Sequence, residues 1–216
     1  MLRHSLLEAR GVAHGFGVRD CAPPARLLRP RQVHGRAIAT AADCRRTPPP
    51  AADGVVSTEP GVAIGVVTAD CVPVLLASEG GEAVAAIHAG WRGLAAGVVA
   101  GGVDALRRSA GSARIVAAIG PHIGACCYEV DAPVLDALTQ TFGAIDDALR
   151  PSRGGHALLD LGALVATALA HRGVARADIG RLPDACTRCH PLRFHSYRRD
   201  GPRAGRLVHF IAAAQA

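Results

Sequence analysis

Cys71 and His88 each stand where an apolar run gives way to a loop, and strand ends of this kind are where side chains converge on a site. A third residue of similar chemistry, His34, precedes the short strand expected over 36–39. Two imidazoles and a thiolate are three protein ligands that leave the fourth tetrahedral position open, the arrangement of a catalytic rather than a structural zinc. The same residues permit a second chemistry, with Cys71 as a thiolate nucleophile and His88 as its base. A zinc-bound thiolate is not a free nucleophile, so the two readings exclude each other. Asp70, beside Cys71, suits orienting a ligand or accepting a proton, and an Asp at a strand end also serves as a turn cap. Laccase-type copper chemistry is disfavoured: none of the ten histidines lies two residues from another, and trinuclear copper centres are assembled from paired His-x-His motifs. Copper would still bind a His/Cys/His site adventitiously, given its place in the Irving–Williams order.

Other thiols carry weaker signals. Cys186 and Cys189 form one CxxC, for which only His190 and His195 are near as a second ligand pair. Cys126 and Cys127, adjacent in a loop with two glycines and a proline, read as buried packing rather than ligands. Asp53, before Gly54, reads as a turn residue.

The elements that must position these residues are short and apolar. Runs 62–67, 72–77 and 83–88 are rich in β-branched residues, as strands covered on both faces should be. Pro73 requires an edge or a first position in its strand. Strands are also expected at 36–39, after the turn at 52–54, at 114–119 and at 206–212. Leu94, Val98, Val99, Val103 and Leu106 follow a helical period, predicting a helix over 94–108 that Gly97, Gly101 and Gly102 weaken. Further helices are expected at 132–142 and 160–171. The loop 120–130 has the composition of a binding surface.

With 216 residues, half of them apolar, the chain can bury a substantial core, and no stretch reads as a linker, so one domain spanning 1–216 is expected. No apolar run reaches the length of a membrane span, and the first ten residues carry charges where a signal peptide needs an apolar segment. The expectation is a cytoplasmic protein with no membrane partner and with reduced thiols, the cysteine count of seven being odd. The net charge of +6 does not imply nucleic acid as a partner: all 24 basic residues are arginine, they are spread out, and aromatic residues are only 3% of the chain, too few for stacking bases. Arginine clusters do suit phosphate, which the planar fork grips bidentately.

In order along the chain, Arg31-Gln32-Val33-His34-Gly35, Ala52-Asp53-Gly54, Thr68-Ala69-Asp70-Cys71-Val72-Pro73-Val74, His88-Ala89-Gly90-Trp91-Arg92-Gly93, the loop 120–130 and Ser196-Tyr197-Arg198-Arg199-Asp200 resemble the signature of the YfiH-like laccase-domain family. The resemblance runs from about Gly11 to Ala212. It implies a single α/β domain with sheets and helices in layers, related in architecture to the catalytic domain of cytotoxic necrotizing factor. It implies zinc held by His34, Cys71 and His88, with phosphorolysis of adenosine, inosine and methylthioadenosine and deamination of adenosine. Arg31, Arg92 and Arg198, each inside a matching motif, become the phosphate candidates, and Cys71, Asp70 and Arg92 the catalytic ones, with backbone N–H groups of the 120–124 loop in support. The partners implied are a purine nucleoside and phosphate, and the protein a monomer or homodimer. Two further activities stand beside this: a cysteine-dependent hydrolase of a peptidoglycan precursor, matching members described as editing factors, and a copper-binding polyphenol oxidase, matching the older family name. Non-enzymatic binding is the remaining alternative. The chain departs from the family pattern in the shortened stretch between Arg19 and Arg31, and at His122, Arg193 and His195.

Overall fold

The computed structural model describes residues 1–111 and 114–215. The strands in chain order are β1 (Ala13–Gly15), β2 (Ile38–Thr40), β3 (Gly54–Ser57), β4 (Ala63–Thr68), β5 (Val72–Ser78), β6 (Val84–Ala89), β7 (Ile115–Ile119), β8 (Glu129–Asp131), β9 (Leu149–Pro151), β10 (His156–Leu159), β11 (Ile179–Arg181) and β12 (Leu207–Ala212). The α-helices are α1 (Ser5–Glu8), α2 (Trp91–Ala95), α3 (Val98–Ala110), α4 (Ala132–Phe142), α5 (Leu161–His171) and α6 (Tyr197–Asp200).

Of the expected apolar strands, 62–67 becomes β4 of a separate sheet, while 72–77 and 83–88 form, with β7, the centre of a six-stranded mixed sheet ordered β11-β7-β5-β6-β3-β2. Because successive side chains in a strand point to opposite faces, their continuous apolar sequence serves two cores at once. Val74, Leu76, Ala85 and Ile87 pack with Leu94, Val98, Val103, Leu138, Leu164 and Val165 from the helices on one face. Leu75, Ala77, Val84 and Ala86 pack on the other face with Ile64, Val66 and Ile211, which belong to a second, antiparallel sheet ordered β1-β12-β4. The result is the layered α/β domain that the sequence implied, with helices, a mixed sheet and a small antiparallel sheet stacked in turn. A third sheet, β8-β10-β9, was not evident in sequence, its strands being only three or four residues long.

Two expectations are refined. The helix over 94–108 is broken: Gly97 adopts φ 90°, a left-handed conformation open to glycine at little cost, and divides α2 from α3. Pro73, against expectation, is the second residue of an interior strand, β5; it sits opposite His88, and its carbonyl accepts the Gly120 N–H at 2.9 Å where the pairing with β7 ends, so its missing N–H costs one bond at the end of that ladder rather than in its middle.

Candidate active site

The topology brings His34, Cys71 and His88 together by three different routes. The loop Ala69-Asp70-Cys71 is where the chain leaves the small sheet at the end of β4 and enters the central sheet at β5. His88, near the end of β6, is paired across the sheet with Pro73, so it lies beside that crossing point. His34 arrives from the loop before β2, which is fixed at both ends of the motif. Gln32 imitates a strand partner there, its side-chain amide donating to the Val67 carbonyl and accepting from the Val67 N–H, both at 2.8 Å.

Asp53 sets the other end. Its side chain is fully buried and accepts the backbone N–H groups of Val33, His34 and Gly35 at 3.2, 2.9 and 2.6 Å. Its Oδ1 also lies 2.8 Å from Nδ1 of His88. The sequence reading of Asp53 as a turn residue is thus corrected: it is the carboxylate that positions two of the three donors. Burial resists its charge, but the bonds from His88, Gly35 and Val33 hold its carboxyl below the usual range.

The ligand atoms of His34, Cys71 and His88 all lie within 4.8 Å of one another. The His34 and His88 rings meet edge to face, with centroids 4.8 Å apart. Burial alone would raise the Cys71 thiol, but hydrogen bonds to His34 and His88 bring it down to about 7. Burial likewise opposes the charged form of His88, and bonds to Asp53 and Cys71 overcome it, raising that imidazole to about 9. His34 itself and Asp70, the neighbour of Cys71, have left-handed backbones unusual outside glycine, at φ 59° and φ 92°, and strain of this kind, roughly 1–3 kcal/mol per residue, concentrates at functional sites. Gly90 leaves room for the cluster: a Cβ there would stand 3.1 Å from both Cys71 Sγ and His34 Cδ2.

A cavity of about 650 Å³ opens onto these three residues, within the size range of small-molecule sites. Of the phosphate candidates, Arg31 and Arg198 line it, together with Arg29, Arg206, Tyr128 and Tyr197, which were not among the candidate site residues. Arg92 is not in the lining; it is exposed at the start of α2 with its guanidinium over the Trp91 ring, 4.5 Å from the centroid. Asp70 does line the cavity, but both its oxygens are engaged, Oδ1 by the Thr187 hydroxyl at 2.5 Å and Oδ2 by the Arg198 N–H at 2.6 Å. That geometry makes it a strut for the α6 loop. Burial, then the nearby Cys71 charge, pushes the Tyr128 phenol up to about 12, so it remains an O–H donor.

Residues 16–214 match the family described as multi-copper polyphenol oxidoreductase laccase. The chain belongs to this laccase-domain family. A relative named purine nucleoside phosphorylase, from Xylella fastidiosa, is 38% identical over 184 residues, covering 82% of this chain and 68% of that protein. One named adenosine deaminase RL5, from an unknown prokaryotic organism, is 35% identical over 190 residues, covering 83% and 72%. The crystal structure of YlmD from Geobacillus stearothermophilus superimposes with a TM-score of 0.80 at 32% identity, over 89% of this laccase-domain chain and 75% of that one. Despite the family's description, neither group of potential metal ligands among the described residues is a set of paired histidines: one is His34, Cys71 and His88, the other four cysteines. No helix among the described residues is long and apolar enough to cross a membrane.

Proposed function

We propose that this protein is a zinc-dependent purine nucleoside phosphorylase that also deaminates adenosine. The observation that carries the reading is the convergence of two imidazoles and one thiol, within 4.8 Å, on a cavity lined by arginines. The donor set fits zinc. The carboxylate at His88 Nδ1 leaves Nε2 as the free ligand atom, the usual outer-shell arrangement for a metal-binding histidine, and the thiol already lies near its ionised form at neutral pH. When bound, zinc supplies Lewis-acid polarisation and activation of water, the chemistry that nucleobase deamination at purine C6 requires.

The chain's own residues serve phosphorolysis. There a phosphate oxygen bonds to the ribose C1′, the bond from C1′ to the base breaks, and the base leaves with the electron pair and takes a proton. Arg31 and Arg198 line the cavity as forked cations for the phosphate. Asp70 and Thr187 act as positioning residues for the segment that carries Arg198. Tyr128 is the protonated hydroxyl available to the departing purine. Arg92, stacked on Trp91, has no place in this reading. Incubating zinc-loaded protein with adenosine and phosphate, and separating adenine, ribose 1-phosphate and inosine, tests it. Products must form with the wild type and fall to background with Cys71→Ala.

A second reading is favoured by one specific observation, the Cys71 thiol lowered to about 7 between two histidines. A cysteine-dependent hydrolase of a cell-wall precursor would show an acyl-enzyme at Cys71, inactivation by iodoacetamide and indifference to chelators.

A further inference from the structure

The laccase-domain site uses one of seven cysteines, and four of the others converge elsewhere. We propose that Cys126, Cys127, Cys186 and Cys189 form a four-thiolate structural zinc site, separate from the His34, Cys71 and His88 donors, that staples together two loops of the cavity wall.

The geometry supports a single ion at the centre of the four sulfurs. Cys126 Sγ lies 3.5 Å from both Cys186 Sγ and Cys189 Sγ, and Cys127 Sγ lies 3.3 Å from Cys189 Sγ. All four sulfurs fall within 4.8 Å of one another. With zinc–sulfur bonds of about 2.3 Å, the sulfurs of a tetrahedral site stand roughly 3.8 Å apart, close to the spacing seen. A disulfide would need about 2.05 Å, and Cys126 is equidistant from two partners, so the arrangement shows no preferred pairing. The Gly124 N–H donates to Cys186 Sγ at 3.3 Å, the kind of outer bond that steadies a metal thiolate. Cys126 and Cys189 are exposed, which gives an ion a way in. The four ligands fill a tetrahedron and leave no open position, so the role is structural.

The staple sits where the cavity wall needs one. The 120–128 loop supplies Ile123 and Tyr128 to the cavity, and the 185–189 segment supplies the Thr187 hydroxyl that holds Asp70. Between these segments the backbone makes two bonds, His122 N–H to the Ala185 carbonyl at 3.2 Å and Thr187 N–H to the His122 carbonyl at 3.0 Å. The four sulfurs tie the remainder together.

Three measurements on the full chain, purified under reducing conditions and loaded with zinc, test the proposal. Metal analysis should give two zinc ions per chain for the wild type, one for His88→Ala and one for the Cys126→Ser/Cys189→Ser double variant. Cobalt(II) bound to His88→Ala protein should show the intense sulfur-to-metal charge-transfer absorption of a four-thiolate site. In wild-type protein, zinc should shield these four cysteines from iodoacetamide relative to Cys21, and a chelator should remove the shielding, a readout that requires no variant to fold. Labelling of all four at the rate of Cys21 in zinc-loaded protein would overturn the proposal, as would a Cys126–Cys186 disulfide in protein purified without oxygen. An ion retained in His88→Ala but lost in the double variant supports this site whatever the fate of the first.

Discussion

Asp53 Oδ1 lies 2.8 Å from His88 Nδ1 and accepts the backbone N–H of His34 at 2.9 Å, so one buried oxygen couples two histidines that are far apart in sequence. Replacing it with Asn retains the shape and reverses the polarity. An amide N–H facing Nδ1 would force the proton of His88 onto Nε2, the atom left for metal. Asp53→Asn should therefore weaken zinc binding by about 10- to 100-fold, as loss of such outer partners does, measured by competition with a chromophoric chelator. Unchanged affinity would mean that His88 does not bind metal through Nε2.

Gly90 offers a steric test. A Cβ at this position meets Cys71 Sγ and His34 Cδ2 at 3.1 Å, while the backbone there, at φ −75°, suits any residue. Gly90→Ala should lower zinc affinity by about tenfold or more through displaced ligands. It should alter unfolding free energy by no more than about 1 kcal/mol, as a change at the N-cap of α2. Denaturant titration alongside zinc competition separates the two effects.

Arg198 and Arg92 should part company in kinetics. Arg198→Met leaves the backbone N–H that bonds Asp70 and removes a cation from the cavity. Phosphorolysis should lose about 1.5–3 kcal/mol of transition-state stabilisation, roughly a 10- to 100-fold drop in kcat/KM, with deamination much less affected because water replaces phosphate. Arg92→Ala should leave both activities within about threefold, since surface substitutions away from a site usually do little. The reverse pattern would return Arg92 to the phosphate site.

Stability should fall in mild acid because of His209. This imidazole is fully buried between β1 and β4, taking the Gly17 N–H at 3.3 Å and lying 2.9 Å from the Thr68 hydroxyl. Burial, with the charge of His88, depresses it to about 3. A histidine depressed in the folded state contributes stability that is complete above its unfolded value near 6.5 and is lost as pH falls towards 3. From this residue alone, unfolding free energy should be about 2 kcal/mol lower at pH 5 than at pH 7.5. His4, His14 and His122 are shifted in the same direction. His88 is raised, so its contribution is complete below 6.5 and declines only as pH rises towards 9, outside the acid window. Urea unfolding at the two pH values should show the slope, and His209→Gln should flatten it; an equal slope in the variant would assign the effect elsewhere.

The central sheet was legible because β5, β6 and β7 are buried on both faces and so are apolar at every position except Ser78 and His88. The three donors were legible by residue type and by their place at strand ends. Asp53 was not: an Asp before a Gly has the sequence of a turn, and its role comes from three N–H groups of a loop some twenty residues upstream. The four-cysteine cluster escaped for a similar reason, since the Cys126-Cys127 pair and the CxxC meet across about sixty residues and no local spacing rule joins them. The reading of Cys126 and Cys127 as buried packing is corrected by their contacts with Cys186 and Cys189 and by the exposure of Cys126. Arg29 lies in an irregular segment with no period to mark which way it faces, and Arg206, expected as the first residue of the last strand, lies just outside β12, where the strand's alternation does not aim it. The break at Gly97 required a backbone angle that a helical period does not reveal.

The most direct test of the account strips the protein with a strong chelator and restores zinc stepwise while adenine and inosine are measured. Activity should be absent in the stripped wild type, return as zinc is added, and fail to return in His88→Ala at any zinc concentration that leaves the protein folded. Full activity in the stripped protein, or recovery in His88→Ala equal to the wild type, would contradict a metal centre at His34, Cys71 and His88.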